Sequence, residues 1–341
     1  MMHELQQLIA VNDTGTTALP VGDTPIQRIR LLIDGRSRYA YLKLEGHNPG
    51  GSVKDRTAFG LLQSLETTGQ LRPGGHLIES SSGNLAISLA MHARDRGYQF
   101  TAVVDPNVTA ENICRLRALG AETRLVESPD EAGGYLLRRL ECVREMLLED
   151  PGLVWTNQYS NSANPEAHYR GTAPEIYRQM EHGVDAVFVA VSTGGTLAGI
   201  GRFFRETSPD TRIIAVDARG SAALGGSLGV RKLTGIGSGR RSEFATPELY
   251  DEVMYVEDRE AFGICRSLDA TTGMKIGGSS GAALAACARY LQAHDMVERA
   301  VCICADRGEH YTSTIFNNSW LGRNGLEIGR RHLGPVSEMC F

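Results

Sequence analysis

Four short segments of the chain gather residue types that can do chemistry. The first, Asn48-Pro49-Gly50-Gly51-Ser52-Val53-Lys54-Asp55-Arg56, is a Pro-Gly-Gly turn running into a helix whose early residues include Lys54. A lysine held in a closed site with a lowered pKa can form a Schiff base with a carbonyl; an exposed one is only a solvated charge. The second, Glu79-Ser80-Ser81-Ser82-Gly83-Asn84-Leu85, ends a strand and opens a helix. Its hydroxyls at Ser81 and Ser82, the Asn84 amide and main-chain donors such as Gly83 N–H suit a carboxylate; alternatively Ser82 or Asn84 is an ordinary helix cap. The third, Ser192-Thr193-Gly194-Gly195-Thr196-Leu197-Ala198-Gly199, follows an apolar strand. Its glycines admit an anion close to the backbone while hydroxyls and a helix N-terminus supply donors, which is the make-up of a phosphate cradle. Gly199-Ile200-Gly201 adds a partial likeness to a dinucleotide fingerprint, but that motif needs its full glycine order and an acidic residue after the next strand, where only Asp217 stands. The fourth, Gly277-Gly278-Ser279-Ser280-Gly281-Ala282, opens an apolar helix, with Ser279 either a contact to a bound group or the cap of a close-packed turn.

These segments need a scaffold, and the chain alternates short apolar runs with helical windows, the pattern of parallel sheet with crossover helices. Strands are expected at Tyr39 to Leu44, His76 to Ile78, Phe100 to Val104, Thr123 to Val126, Leu153 to Trp155, Ala186 to Val191, Ile213 to Val216 and Ala300 to Cys304. Helices are expected at Arg56 to Leu65, Leu85 to Arg96, Glu111 to Leu119, Gly134 to Leu148, Pro174 to Met180 and Ala282 to Ala293. The fold class is therefore α/β. A length of 341 residues favours two domains. The 39 glycines, about 11% against a usual 7%, belong in turns and anion-approaching loops, since glycine weakens regular elements.

With 35 Lys+Arg against 40 Asp+Glu the net charge is −5, and no basic stripe points to nucleic acid or an anionic membrane. A small-molecule partner is expected. Cysteines at 114, 142, 265, 287, 302, 304 and 340 have no zinc-type spacing, so no metal is expected, and Cys302 and Cys304 read as core. The start, Met1 to Leu5, lacks a signal-type leader and no run of about 18 apolar residues occurs, so the reading is a reduced, cytoplasmic protein.

Taken together and in order, the four motifs resemble the fold-type II pyridoxal phosphate enzymes, the cysteine synthase and cystathionine β-synthase superfamily. The resemblance runs from Gly22-Asp23-Thr24-Pro25 to Arg307-Gly308-Glu309-His310-Tyr311. It implies a tryptophan synthase β-like architecture with a smaller mobile domain at 50–155, a larger cofactor-binding domain from 1–49 plus 156–321, and a C-terminal extension at 322–341. A homodimer is the family expectation. By this resemblance Lys54 would be the Schiff-base lysine and general base, Asn84 would bind the cofactor's 3′ oxygen, Ser192, Thr193, Gly194, Gly195 and Thr196 would hold its phosphate, and Ser279 would face the pyridine nitrogen. Ser81, Ser82, Gly83 and Gln158 would grip the substrate carboxylate, drawing the small domain shut against water, and Gly235 and Gly237 would let backbone approach from the other domain.

Finer segments, Val104-Asp105-Pro106-Asn107, Pro129 to Tyr135, Asn157-Gln158-Tyr159 and Ala305-Asp306-Arg307-Gly308, resemble a branch that joins O-phospho-L-serine to L-glutamate through an aminoacrylate, on a siderophore route to 2,3-diaminopropionate. Cysteine synthases usually carry Gly where Ser192 stands and Phe where Tyr159 stands. Gly194-Gly195-Thr196 and Leu85-Ala86 depart from the branch pattern, and a sulfide-using cysteine synthase or O-phosphoserine sulfhydrylase is the alternative. Arg170, Arg219 and Arg240 are candidates for the second substrate's carboxylates or a leaving phosphate, or are plain surface residues. From other classes come a non-catalytic relative of the fold and a nicotinamide-dependent oxidoreductase.

Overall fold

The computed structural model describes residues 20–130, 133–329 and 334–340. The leader reading at Met1 to Leu5, Glu131 and Ala132 of the branch-like segment, and Arg330 and Arg331 of the tail lie outside the described residues, as does the side chain of Cys340. In chain order the strands are β1 (Ile26–Ile33), β2 (Arg36–Leu44), β3 (His76–Ser80), β4 (Gln99–Val104), β5 (Glu122–Leu125), β6 (Leu153–Trp155), β7 (Ala186–Ala190), β8 (Arg212–Ala218), β9 (Glu252–Val256), β10 (Ala300–Cys304) and β11 (Val336–Cys340). The α-helices are α1 (Lys54–Thr67), α2 (Asn84–Arg96), α3 (Ala110–Ala118), α4 (Leu136–Glu149), α5 (Ala163–Ala167), α6 (Ala173–Gln179), α7 (Gly195–Thr207), α8 (Asp258–Thr272), α9 (Gly278–Ala293) and α10 (Asn318–Arg323).

The chain divides into two compact units, one of residues 1–22, 48–50 and 54–157, the other of 23–47, 51–53 and 158–341. The first unit carries a parallel four-stranded sheet in the order β5-β4-β3-β6. Leu77, Phe100, Ala102 and Val104 of its strands pack with Leu85, Leu89 and Ala90 of α2 and Leu62 of α1 in one apolar cluster. At its edge β5 has no buried residue, so it is less covered than an apolar run suggests.

The second unit carries a seven-stranded sheet in the order β11-β1-β2-β10-β7-β8-β9. Pairings from β2 through β9 are parallel, while β1 is antiparallel to both neighbours. On β7, Ala186 and Phe188 join the cluster under α8 and α9, while Val187 and Val189 join the one that includes Ile176, Leu197 and Phe204. Both faces of the strand are covered, which is why its sequence is an unbroken apolar run.

Every strand and helix window expected from sequence is present. The reading missed β1, β9, β11, α5, α8 and α10, and gave α7 a start at its glycine loop without bounds. In β1 the charges of Arg28 and Arg30 interrupt the apolar pattern, yet Ile29, Leu31 and Ile33 alternate inward. A tight Asp34-Gly35 turn, with φ of 50° and 76°, folds β1 back on β2. The C-terminal segment is more than an extension: β11 pairs with β1, and Glu338 meets Arg30 at 3.0 Å. Without an apolar alternation of its own, β11 owes its place to the free edge of β1.

Candidate active site

In the first unit, Lys54 opens α1 and is half-buried. The turn before it is fixed by the next residue, buried Asp55, whose Oδ2 accepts from Gly50 N (2.8 Å) and Oδ1 from the Ser88 hydroxyl (2.6 Å). A Cβ at Gly50 would lie 2.3 Å from Asp55 Oδ1, so the Pro-Gly-Gly sequence is a steric requirement of this clamp. Arg115 of α3 donates to Gly50 O (3.2 Å). Behind α1, the His92 imidazole donates to the main chain of Asp55; burial, reinforced by the Arg96 charge, lowers its pKa to about 4 and keeps it neutral.

The Ser80–Asn84 loop joins β3 to α2. Ser81 is buried and its Oγ accepts from Ala86 N (3.2 Å), so this hydroxyl also serves as a cap inside α2. Gly83 precedes α2 with no side-chain cap, and a Cβ there would meet nothing within 4 Å. Asn84, half-buried, is the first residue of the helix. Ser82 is more heavily engaged than the sequence suggests: its Oγ accepts from Arg139 Nη1 (2.8 Å) and Asp105 N (3.3 Å), and its carbonyl accepts from Asn112 Nδ2 (3.1 Å). Arg139 also pairs with Asp105 at 3.2 Å, is only 13% exposed, and its Nε is buried with no hydrogen-bond partner. Sequence reasoning missed Arg139 and Asn112. The available signal for Arg139 was helical phase: it stands four residues before buried Val143 and so faces inward, whereas Arg138 pairs with Glu141 in solvent.

In the second unit β7 delivers Ser192 to Thr196 to the start of α7. Gly194 is left-handed (φ 92°), and no side chain caps this 13-residue helix. Ser242 donates to Thr193 O (2.7 Å), and Asn164 Nδ2 donates to Gln158 O (2.7 Å) and Thr193 Oγ1 (3.3 Å). Cβ atoms at Gly194 and Gly195 would each come within 2.1 Å of a side-chain oxygen, Ser242 Oγ and Asn164 Oδ1 respectively. Thr196 Oγ1 lies 3.2 Å from Nε2 of buried His168, whose Nδ1 lies 2.9 Å from Thr172 Oγ1. His168 to Thr172 form a π-helical turn between α5 and α6, a distortion often found at functional sites. Hydroxyls, glycine backbone and an uncapped helix start fit a phosphate group.

The same unit holds the remaining candidates. Ser279, 2% exposed, is the second residue of α9. Gly235 (φ 75°) lies over it: a Cβ there would sit 3.6 Å from Ser279 Oγ. The Ser192 hydroxyl donates to Gly237 O (3.1 Å), and Gly237 N donates to Val191 O (2.7 Å). Gln158 is buried; Tyr159 is half-buried with the Arg240 guanidinium 5.0 Å from its ring centre. Arg170 and Arg219, 78% and 66% exposed, pair with Glu166 and Glu257 on the surface. Asp217, the residue nearest to a ribose-binding acid, is buried and accepts from Ala218 N (2.8 Å) and Leu224 N (3.1 Å), which ties down its own loop. Cys302 and Cys304 are buried on β10, as expected. Among the described residues no group of three or more His, Cys, Asp or Glu side chains could hold a metal ion, and no helix is long and apolar enough to cross a membrane.

The chain is similar to several known proteins. The chain is 43% identical over 303 residues to N-(2-amino-2-carboxyethyl)-L-glutamate synthase of Ralstonia nicotianae, covering 89% of this chain and 90% of that protein. It is 42% identical over 306 residues to the protein of the same name from Cupriavidus metallidurans, with the same coverage. Among solved structures it matches O-ureido-L-serine synthase (TM-score 0.79, 30% identity, 89% of this chain and 97% of that one). It also matches a hydrogen sulfide-producing enzyme from Fusobacterium nucleatum (TM-score 0.79, 32% identity, 85% and 95%). The architecture is that of fold-type II pyridoxal phosphate enzymes, and the cofactor is pyridoxal 5′-phosphate. The family described as "Pyridoxal-phosphate dependent enzyme" matches residues 17–306, and the chain belongs to it.

Proposed function

We propose that this enzyme carries out a β-replacement in which O-phospho-L-serine and L-glutamate give N-(2-amino-2-carboxyethyl)-L-glutamate and phosphate. The observation that carries the reading is Arg139. A half-buried guanidinium, bonded to Ser82, paired with Asp105 and with its Nε–H unpartnered, is suited to an anionic leaving group; an acetyl ester would have no use for it. The likeness to the two named synthases supports the same choice.

Bound pyridoxal phosphate supplies the electron withdrawal that makes a substrate Cα proton acidic. The amine of Lys54 holds the cofactor in the resting enzyme and, once released, takes that proton. Ser81, Ser82, the Gly83 N–H and Asn84 hold the substrate carboxylate, with Asn84 also reaching the cofactor's 3′ oxygen. The Cβ–O bond breaks with its electron pair on phosphate, which Arg139 meets. The glutamate amine then forms the new Cβ–N bond and gives up a proton, while Cα regains one from Lys54.

In the other unit Ser192, Thr193, Gly194, Gly195 and Thr196 hold the cofactor phosphate and Ser279 its pyridine nitrogen. Ser279 offers a neutral hydroxyl there, which keeps the ring from acting as a deep electron sink and favours elimination over transamination. Gln158 and Gly235 serve the amino-acid substrate, and Tyr159 shapes the nucleophile's side with Arg240 beside it. Mass spectrometry of products from O-phosphoserine offered with glutamate or with sulfide tests the reading: the glutamate adduct is expected, and cysteine as sole product overturns it in favour of a sulfhydrylase. Borohydride treatment should fix a cofactor-sized mass on wild type and none on Lys54→Ala.

A further inference from the structure

Behind Ser279, within the second unit, several segments meet on two side chains to which the reaction assigns no role. The Tyr311 hydroxyl donates to Asp306 Oδ2 at 2.6 Å and is bonded on its other side by the Thr234 hydroxyl. Asp306 is 3% exposed and follows β10 directly. Its backbone bridges Ser52, two residues before Lys54, and Val53 N donates to Ala305 O (2.7 Å). On another side the carboxylate packs on Gly277, the residue that leads into α9 and Ser279: a Cβ at Gly277 would lie 1.9 Å from Asp306 Oδ1 and 2.8 Å from Tyr311 Cε2. Gly308 N donates to Lys275 O (3.1 Å), and a Cβ at Gly308 would reach within 2.6 Å of Ile276 N, so the turn bearing Tyr311 is locked against the same segment.

We propose that Tyr311, with Asp306, is a positioning residue that fixes Thr234 and thereby holds the Gly235–Gly237 loop over Ser279. The direction of the chain of bonds follows from proton bookkeeping. A phenol that gives its only proton to a carboxylate has just a lone pair left, so the Thr234 hydroxyl must donate to it. Burial and the Asp306 charge raise the Tyr311 pKa well above the usual range, so the phenol stays protonated and the direction does not reverse. Thr234 immediately precedes Gly235, whose left-handed backbone faces Ser279. The loop's other end is held independently, since Ser192 donates to Gly237 O and Arg231 Nη1 to Ile236 O (3.0 Å), while the backbone before Thr234 is held at Leu233, whose N donates to Asp258 Oδ1 (3.0 Å) and whose O accepts from Arg231 Nη1 (2.7 Å). Between these anchors Tyr311 supplies the fixed point of the Thr234 side chain itself.

This inference rests on the proposed substrate only for its kinetic readout; its cofactor readout stands apart. Tyr311→Phe keeps the ring against Gly277 and removes the hydroxyl. Titration of the apoprotein with pyridoxal phosphate should show about 10-fold weaker binding, with the apoprotein's melting temperature unchanged. In the holoenzyme, KM for O-phosphoserine should rise about 10-fold while kcat stays nearly constant, because a loosened loop binds poorly and leaves the reacting groups intact. Thr234→Val should give the same split, and the double variant should be no worse than either single, as members of one chain of bonds require. Cofactor affinity within 2-fold of wild type in both single variants overturns the proposal, as does full additivity. A wild-type enzyme that ignores O-phosphoserine overturns the substrate reading alone, since the cofactor titration still tests Tyr311.

Discussion

The two units hold their functional loops with a different balance of side-chain bonds and close glycine contacts. In the unit of Lys54 the holding is done by polar side chains: Asp55 on the Gly50 turn, and Arg139, Asp105 and Asn112 around Ser82. The helices that supply Asn112 and Arg139 are shallowly rooted, with Leu116 the one buried residue of α3, and Leu140 and Val143 those of α4, whereas α1, which carries Asp55, is deeply buried. In the unit of the 192–196 loop, side-chain bonds from Ser242 and Asn164 are joined by backbone that presses on its surroundings through glycine at more places than Gly50 alone: Gly195 on Asn164, Gly199 on Pro165 O, Gly281 on Ala261 O. Side-chain bonds can be exchanged for others with a modest change in affinity, so a loop built on them can be retuned for a new substrate. A glycine contact leaves no room for adjustment, which suits the part that grips an unvarying cofactor.

If that contrast is right, acid should strike the side-chain-held unit first. Burial holds His92 at a pKa of about 4, against about 6.5 in the unfolded chain. Between those values the unfolded state binds the extra proton, so stability rises with pH across the window and is lost on acidification, by about 3 kcal/mol from pH 6.5 to 4. Hydrogen exchange of α1 and α2 peptides should show that loss, and His92→Phe should flatten it. A flat profile in the wild type would remove His92 from the account.

For the glycine-held unit the expected break is steric. Gly195→Ala drives a methyl into the Asn164 carboxamide, whose nearest atoms would lie 2.1 to 2.6 Å away. Overpacking of ~3 kcal/mol corresponds to about 100-fold weaker cofactor binding, measurable by fluorescence titration. An alanine variant that binds pyridoxal phosphate as the wild type does would show that the loop moves freely, and the contrast would fall.

The contrast also explains what could be read from the sequence. Glycines announce themselves because few other roles need them in such clusters, so the 192–196 and 277–281 segments were legible from sequence as glycine-rich turns opening helices, the first of them with the make-up of a phosphate cradle. Arg139 was not legible, because one arginine of a surface-looking Arg138-Arg139 pair turns inward only once the phase of α4 is known. Asp306 and Tyr311 are five residues apart, but Thr234 lies far from both in the chain, and no local pattern encodes its meeting with them. Likewise β11 is a strand only because β1 offers an edge. What sequence withholds is long-range and polar.

Replacing Arg139 by Met keeps the stem and removes the charge. A charge-assisted hydrogen bond to substrate carries about 1.5–3 kcal/mol, so kcat/KM for O-phosphoserine should fall about 30-fold. O-acetylserine, which brings no phosphate, should be affected far less. Equal losses for the two substrates would mean that Arg139 merely props Ser82 and Asp105, and the case for a phosphate leaving group would go with it.

The mildest substitution draws the sharpest line between the units. Gly83→Ala adds the same methyl as Gly195→Ala, but nothing lies within 4 Å of its place, and Gly83 has a negative φ of −130°. Its fold should be indifferent, with the melting temperature and pyridoxal phosphate affinity unchanged. The methyl does enter the space assigned to the substrate carboxylate, so KM for O-phosphoserine should rise about 5-fold, the cost of ~1 kcal/mol at the weak end of overpacking. One methyl would then read out as lost cofactor in one unit and as lost substrate in the other. If instead Gly83→Ala releases cofactor, the Ser80–Asn84 loop holds the cofactor through more than the Asn84 side chain, and the division of labour between the two kinds of loop is wrong.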